Sequence, residues 1–173
     1  MGNEMPTGNE SRFRDVLGNS WTMSDHTESI RRWYGFNWAS TASRRDGLAR
    51  AEEICAEDFE YHFASEVSDR SLHGLDDIDN FMLAVEEDFR DFRQCAHRVL
   101  GDDERVVVIG EIEGRGRLSG LTFRTPFGHV WTLQEGLAVR VDEYVSGEQA
   151  LAAAAGLEGE DAPNPSSATM EDF

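Results

Sequence analysis

The residues best suited to chemistry are a histidine in one β-rich run and two adjacent carboxylates in the next. The segment from 128 to 151 reads GHVWTLQEGLAVRVDEYVSGEQAL and contains His129, Asp142 and Glu143. An imidazole beside a carboxylate is a natural acid/base pair, because the negative charge favours imidazolium and burial raises the pKa of a carboxylate. His129 and either Asp142 or Glu143 are therefore the candidate catalytic residues.

The two runs that carry these residues are predicted to form an antiparallel hairpin. Val130 to Leu133 and Leu137 to Val145 are β-branched, aromatic or alternating, which is typical of strands. The intervening Glu135-Gly136 suits a tight turn with positive φ angles. The sequence after the hairpin predicts a short alanine-rich helix.

The register of this hairpin decides which carboxylate faces the histidine. A two-residue loop pairs His129 with Asp142, whereas a three-residue loop with a bulge at Gly136 pairs His129 with Glu143. The pattern is also typical of a structural role, in which His129 packs under a strand and the carboxylate is solvated, because alternating strands expose every second residue.

Composition limits the classes of partner and chemistry. The 173 residues suit one domain, and 16 basic against 34 acidic residues give a formal net charge of -18. This charge argues against nucleic-acid and membrane-surface partners. The sequence has no lysine, which excludes Schiff-base catalysis by lysine. It also has no long apolar run and no signal-peptide pattern, so we expect a soluble cytoplasmic protein.

The order of elements predicts an α+β domain in which a bent sheet wraps helices. We expect residues 1–22 to be an extension or a dimer arm, 23–157 to be the domain, and 158–173 to be a disordered acidic tail. The spacing predicts helices over Asp25–Ala39, Leu48–Cys55 and Asp76–Phe92, and strands over Phe59–Ala64, Gln94–Leu100, Arg105–Gly114 and Arg117–Arg124, before the hairpin.

Several segments together resemble a known family. They are RRWYGFNW, EDFEYHF, LHGLDDIDNF, GRGRLSG and GHVWTLQEGLAVRVDEYVSGEQALAAAAGL, in this order. They resemble the SnoaL-like polyketide cyclase branch of the nuclear-transport-factor-2-like, or ketosteroid-isomerase-like, superfamily. The resemblance implies a cystatin-like conical barrel, in which a strongly curved mixed or antiparallel sheet and about three helices enclose an apolar cavity. It also implies a homodimer packed sheet to sheet.

The resemblance assigns roles to the candidate residues. Cyclases of this kind use no metal or organic cofactor, and an acidic residue on a late strand, assisted by histidine, removes a proton next to a carbonyl. His129 matches the late-strand histidine, and Asp142 or Glu143 matches the acid. The predicted partner is an apolar polyketide-like or steroid-like carbonyl compound, and the candidate contact residues are Trp33, Tyr34, Asn37, Trp38, Tyr61, His62, Phe63 and Trp131.

Two other functions fit the same fold. One is a hydrophobic-ligand-binding or accessory dimer without chemistry. The other is an epoxide hydrolase-like enzyme, in which two carboxylates and an arginine hold a water molecule. Four alternate residues, predicted to lie on one face of a strand, match that pattern in part: Glu111, Glu113, Arg115 and Arg117. These side chains could equally form salt bridges between strands on an exposed face.

Overall fold

The computed structural model describes residues 25–156, so the predicted extension 1–22 and the predicted tail 158–173 lie outside the described residues. Four helices and six strands make up this part of the chain. The helices are α1 (Asp25–Arg31), α2 (Thr41–Ile54), α3 (Gly74–Asp88) and α4 (Gly147–Ala154). The strands are β1 (Cys55–His62), β2 (Ser71–His73), β3 (Phe89–Gly101), β4 (Arg105–Gly116), β5 (Thr122–Gln134) and β6 (Leu137–Tyr144).

The six strands form one mixed sheet in the order β2-β1-β6-β5-β4-β3. The β1 and β6 strands are parallel, and the other neighbours are antiparallel. The sheet curls without closing, because β2 and β3 remain as its two edges. The predicted α+β class with a curved mixed sheet is therefore confirmed.

The two faces of the sheet pack against different helices. Alternation along β4 places Val106 and Val108 on an inner face, where they join a core formed with α1, α2 and α3. Val107 lies on the outer face and packs with Val130 and the alanines of α4 in a second, smaller cluster. The first three helices thus cover the inner face, and α4 covers part of the outer face.

Helix α1 is shorter than the spacing of its aromatic residues predicts. It ends at Arg31, and Gly35 then adopts a φ of 91°. The backbone then turns to β3, because Gly35 N–H donates to the Gln94 carbonyl at 2.8 Å and Trp38 N–H donates to the Phe92 carbonyl at 2.9 Å. The prediction of a helix to Ala39 was therefore wrong, and the aromatic residues lie on a loop.

Strand β5 begins at Thr122 instead of at the predicted Arg117, and it continues through the first strand of the predicted hairpin. The predicted strand over Arg117–Arg124 is divided, since residues 117–120 form the turn after β4 and β5 runs from Thr122 to Gln134. Gly128 does not interrupt the strand. A Cβ at Gly128 would lie 2.5 Å from the Ala150 Cβ, so glycine permits the close approach of α4 to the sheet.

The hairpin between β5 and β6 combines features of both predicted registers. Its turn has two residues, with φ angles of 52° at Glu135 and 82° at Gly136, as in a type I′ turn. The ladder then shifts by one residue, because Ala138 pairs with Leu133 whereas Arg140 pairs with Thr132. Val139 is the extra residue of this bulge.

Glu135 is the natural position at which to stabilise the turn. A left-handed φ costs a residue with a Cβ on the order of 1 kcal/mol, and asparagine tolerates it better than glutamate. We expect Glu135→Asn to raise the free energy of unfolding by about 0.5 kcal/mol. Urea denaturation measures this change. Gly136→Ala is the matched control, and it should be destabilising because alanine disfavours the φ of 82°.

None of the helices within residues 25–156 combines the length and the apolar character required to cross a bilayer.

Candidate functional site

The centre of the candidate site is His129, in the middle of β5 on the inner face. Its side chain is fully buried, at 0% exposure. The Tyr34 hydroxyl lies 2.7 Å from Nδ1 of the ring, and the Tyr61 hydroxyl lies 3.1 Å from Nε2. The α1–α2 loop supplies Tyr34 and β1 supplies Tyr61, so the loop and two strands of the sheet meet at one imidazole.

Glu143 is the carboxylate that faces this histidine. It pairs with His129 across the β5–β6 ladder, and its Oε2 lies 3.6 Å from His129 Nε2. The Tyr61 hydroxyl donates to the same oxygen at 2.5 Å, and the backbone N–H of Ala64 also donates to the carboxylate. The Glu143 side chain is 9% exposed, so it lies at the solvent edge of the group.

These contacts determine which atom donates and which atom accepts in each hydrogen bond of the group. Trp131 Nε1–H donates to the Tyr34 oxygen at 2.8 Å, so the Tyr34 hydroxyl is free to donate to His129 Nδ1. The imidazole then carries its proton on Nε2 and donates to the Tyr61 oxygen, whose own proton goes to Glu143. We call this series the hydrogen-bonded chain. It runs from the buried indole to the carboxylate.

The protonation states follow from burial and from these contacts. Burial lowers the pKa of His129, and Glu143 offsets this only in part. Burial would raise the pKa of Glu143, but His129, Tyr61 and the Ala64 N–H together hold it below its ordinary value. Burial and the neighbouring carboxylate raise the pKa of Tyr61. At neutral pH the site therefore holds a neutral imidazole and an ionised carboxylate, and the expected rise in the carboxylate pKa does not occur.

The lowered pKa values make stability depend on pH. The unfolded chain binds a proton near the ordinary histidine pKa of 6.5, whereas folded His129 resists protonation. Acid therefore favours unfolding, and the lowered pKa of Glu143 adds to this at lower pH. We expect wild type to lose more stability between about pH 7.5 and pH 5.5 than His129→Gln does.

Denaturant midpoints measured across this pH range test the prediction. The matched control is His97→Gln, which removes an exposed histidine of β3. Equal pH dependence in wild type and His129→Gln would contradict the prediction.

Aromatic rings hold the histidine in place. The Phe127 ring centroid lies 4.3 Å from that of His129, and Tyr34 stacks on Phe127 with an angle of 10° between the ring planes. Trp131 is fully buried and meets Trp33 edge to face at 5.1 Å between centroids. Such packing fixes the orientation of the imidazole and keeps water from it.

The inner face becomes accessible further along the strands. Ile112 and Thr125 face each other across the β4–β5 ladder on the inner face, and the first is half-buried whereas the second is exposed. Phe63 and Phe81, whose ring centroids are 5.1 Å apart, are also half-buried. Half-buried apolar side chains therefore lie beside the hydrogen-bonded chain, since Phe63 packs on Tyr61.

A separate cleft lies near the β5–β6 turn. It has a volume of about 700 Å³, and its lining includes Leu133 and the carboxylates of Asp102, Asp103 and Glu135. No member of the hydrogen-bonded chain lines it. This cleft is therefore distinct from the His129 site.

The family follows from the sequence of the same region. A family model described as a SnoaL-like domain matches residues 30–141, which is more than half of the chain. The chain belongs to the SnoaL-like domain family. No curated protein sequence matches the chain.

Solved structures share the fold of this SnoaL-like domain. An NTF2-like protein of unknown function from Burkholderia pseudomallei has a TM-score of 0.58 at 22% identity, over 73% of this chain and 95% of the other. A putative SnoaL-like polyketide cyclase from Jannaschia sp. has a TM-score of 0.58 at 18% identity, over 71% and 89%. TerC, co-crystallised with polyporic acid, has a TM-score of 0.58 at 23% identity, over 71% and 92%. These likenesses establish an NTF2-like fold.

The SnoaL-like domain brings together only some of the predicted site residues. His129, Glu143, Tyr34, Tyr61 and Trp131 form the hydrogen-bonded chain. Two more predicted contact residues adjoin it: Trp33 packs on Tyr34 and Trp131, and Phe63 packs on Tyr61.

The other predicted residues lie elsewhere. Asp142 is on the outer face, where Arg140 donates to both of its oxygens at 2.6–2.9 Å. His62 is also on the outer face, 2.7 Å from Glu60. The Asn37 amide bonds to the Asp91 carboxylate and to the backbone of the α1–α2 loop and β3, so it fixes the loop. Trp38 is buried against Trp33 and Phe36.

The residues that matched an epoxide hydrolase in part do not form one site. Glu111 contacts His97 at 3.2 Å, and Glu113 contacts Arg124 at 2.9 Å. Arg117 donates to backbone carbonyls at the end of α3. These separate surface contacts give no support to a water-holding group of two carboxylates and an arginine.

Sequence reasoning missed two residues beside the hydrogen-bonded chain. The Phe127 ring packs on His129, and Gln94 lies with its Nε2 3.5 Å from the Tyr61 oxygen. The alternation of β3 was the available signal, since Gln94 shares its parity with Phe92 and Ala96, which pack against the core. Within residues 25–156, no group of three His, Cys, Asp or Glu side chains is arranged to hold a metal ion.

Proposed function

We propose that this SnoaL-like domain binds an apolar carbonyl compound on its inner face and transfers a proton next to the carbonyl, as a cofactor-independent cyclase or isomerase. The observation that carries the proposal is Glu143, an ionised carboxylate at the edge of an aromatic interior and at the end of the hydrogen-bonded chain. A carboxylate beside apolar walls can act as a general base once a bound ligand desolvates it.

Glu143 is the proposed catalytic base. Its contacts keep it ionised at neutral pH, so it is ready to accept a proton. A bound apolar ring would remove the remaining water from the carboxylate, and desolvation would then make the carboxylate more basic. The proton of a carbon next to the ligand carbonyl passes to Glu143, and the electron pair of that bond forms the enolate.

Tyr61 and His129 have different proposed parts in this step. The Tyr61 hydroxyl is the donor beside Glu143, and it can turn to the enolate oxygen once the carboxylate is protonated. His129 is fully buried, so it acts as a positioning residue that donates to the Tyr61 oxygen.

The enolate can react in two ways. In an isomerase, Glu143 returns the proton to a different carbon. In a cyclase, the enolate carbon attacks a second carbonyl of the ligand, and the proton goes to the resulting alkoxide. The solved relatives agree with this ligand class, because one is a putative polyketide cyclase and another was co-crystallised with polyporic acid.

A non-catalytic binding protein of the same fold is the second candidate. It is favoured by the complete burial of His129 and by the fact that each member of the hydrogen-bonded chain has a partner within the protein. Such a chain can simply specify a unique core. This second candidate includes an accessory protein that forms a homodimer through the sheet. Analytical ultracentrifugation of the full chain tests whether the protein is a dimer.

Solvent exchange separates the two functions. The full chain is incubated in D2O with α-tetralone, a bicyclic aromatic ketone, and with other apolar ketones, and loss of the α-proton signal is followed by NMR. We expect exchange faster than in buffer, because Glu143 removes the α-proton. Binding without faster exchange supports the non-catalytic candidate, and absence of binding across the ketones contradicts both.

A further inference from the structure

Gln94 carries a buried polar atom that the described part of the chain does not satisfy. The residue lies on β3 at 4% exposure, and its carbonyl Oε1 has no hydrogen-bond partner among residues 25–156. A buried acceptor without a donor costs free energy, so such an atom points to a partner beyond residues 25–156, such as a ligand.

The orientation of the amide follows from the hydrogen-bonded chain. The Tyr61 hydroxyl gives its only proton to Glu143, so its oxygen can only accept from other neighbours. The Gln94 atom 3.5 Å from that oxygen is therefore the NH2 group. A flipped amide would bring two acceptors together, which leaves Oε1 as the atom directed away from Tyr61.

Gln94 also lies at the border between the packed core and the accessible part of the inner face. It pairs with Ile112, which pairs with Thr125, and exposure increases along this row from Gln94 to Thr125. The Gln94 amide also lies 3.5 Å from the Tyr61 oxygen, so a ligand that contacts Tyr61 from this side lies beside it.

We propose that Gln94 Oε1 accepts a hydrogen bond from a hydroxyl group of the ligand, so the substrates are hydroxy-carbonyl compounds. This inference rests on the proposed function, because it places the ligand carbonyl at Tyr61 and Glu143. The ligand hydroxyl then lies beside that carbonyl, on the Gln94 side of Tyr61. Gln94 is thereby a specificity-determining residue, since a ligand that lacks the hydroxyl leaves the buried acceptor unpaired.

Matched ligands test the inference without any change to the protein. Dissociation constants for α-tetralone and for a set of its hydroxy derivatives, which differ in the ring position of the hydroxyl, are measured by NMR titration. We expect at least one hydroxy derivative to bind about tenfold more tightly than α-tetralone, as one satisfied buried acceptor would give.

Two variants assign the preference to Gln94. Gln94→Met keeps a similar length without a polar group, so the dissociation constants of α-tetralone and of the hydroxy derivative should become equal in this variant. Gln94→Asn keeps both the donor and the acceptor of the amide on a shorter side chain, and it should retain a preference that Gln94→Met loses. Thermal unfolding of each variant shows whether it is folded.

The outcomes distinguish the inference from the proposed function. If wild type binds α-tetralone but never prefers a hydroxy derivative, the inference fails, the proposed function stands, and Oε1 bonds to water only. A preference that survives in Gln94→Met also overturns the inference. If neither α-tetralone nor any derivative binds or exchanges its α-proton, the proposed function fails and the inference fails with it.

Discussion

Glu143→Gln is expected to lower the rate of α-proton exchange by about 100-fold to 10,000-fold, the usual contribution of a general base. The amide has the shape of the carboxylate, but it cannot accept the substrate proton. The rate is measured by NMR in D2O with whichever ketone wild type exchanges. Ligand affinity should change little, because Glu143 acts on the reacting carbon while the apolar surface holds the ring.

Asp142→Asn is the control for this experiment. It is the adjacent carboxylate, but it lies on the outer face in contact with Arg140. Its exchange rate should equal that of wild type. If Asp142→Asn were the slow variant, or if Glu143→Gln kept full activity, Glu143 would not be the base.

Trp131→Ala is expected to destabilise the fold by about 3–5 kcal/mol, the usual cost of deleting a buried tryptophan side chain. Trp131 is fully buried, packs on Trp33 and Phe59, and donates to Tyr34. The loss therefore combines a cavity with an unpaired tyrosine oxygen. Guanidinium denaturation measures the change in the free energy of unfolding.

Leu118→Ala is the comparison for this substitution. Leu118 is an apolar residue in the β4–β5 turn and is fully exposed, so its truncation should change stability by less than about 0.5 kcal/mol. Similar effects at the two positions would contradict the assignment of Trp131 to the core.

Much of the fold could be predicted from local patterns. Alternation and turn residues located the β5–β6 hairpin, and the family motifs indicated a curved sheet with helices on its inner face. The identity of the inward carboxylate was not predictable, because it depends on one extra residue. A bulge at Val139 carries no strong sequence signal, yet it places Glu143 rather than Asp142 beside His129.

The sequence predicted the structure least well where tertiary contacts determine the backbone conformation. The aromatic spacing after Arg31 is helical, but backbone bonds from Gly35 and Trp38 to β3 hold that segment as a loop. Gln94 was predicted to lie on a strand, but no residue near it in the sequence indicated its contact with Tyr61. Its place beside Tyr61 depends on how far the sheet curls, which no local pattern specifies.

The pairing of β1 with β6 has a consequence for how quickly the protein folds. These parallel neighbours are far apart in the sequence, at Cys55–His62 and Leu137–Tyr144, whereas the β3–β4, β4–β5 and β5–β6 pairs are local. Closing so long a loop is entropically costly, so pairing of this kind is slow compared with hairpin formation. Tyr61 lies on β1 and Glu143 on β6, so the contact between them depends on this long-range pairing and follows the hairpins in time.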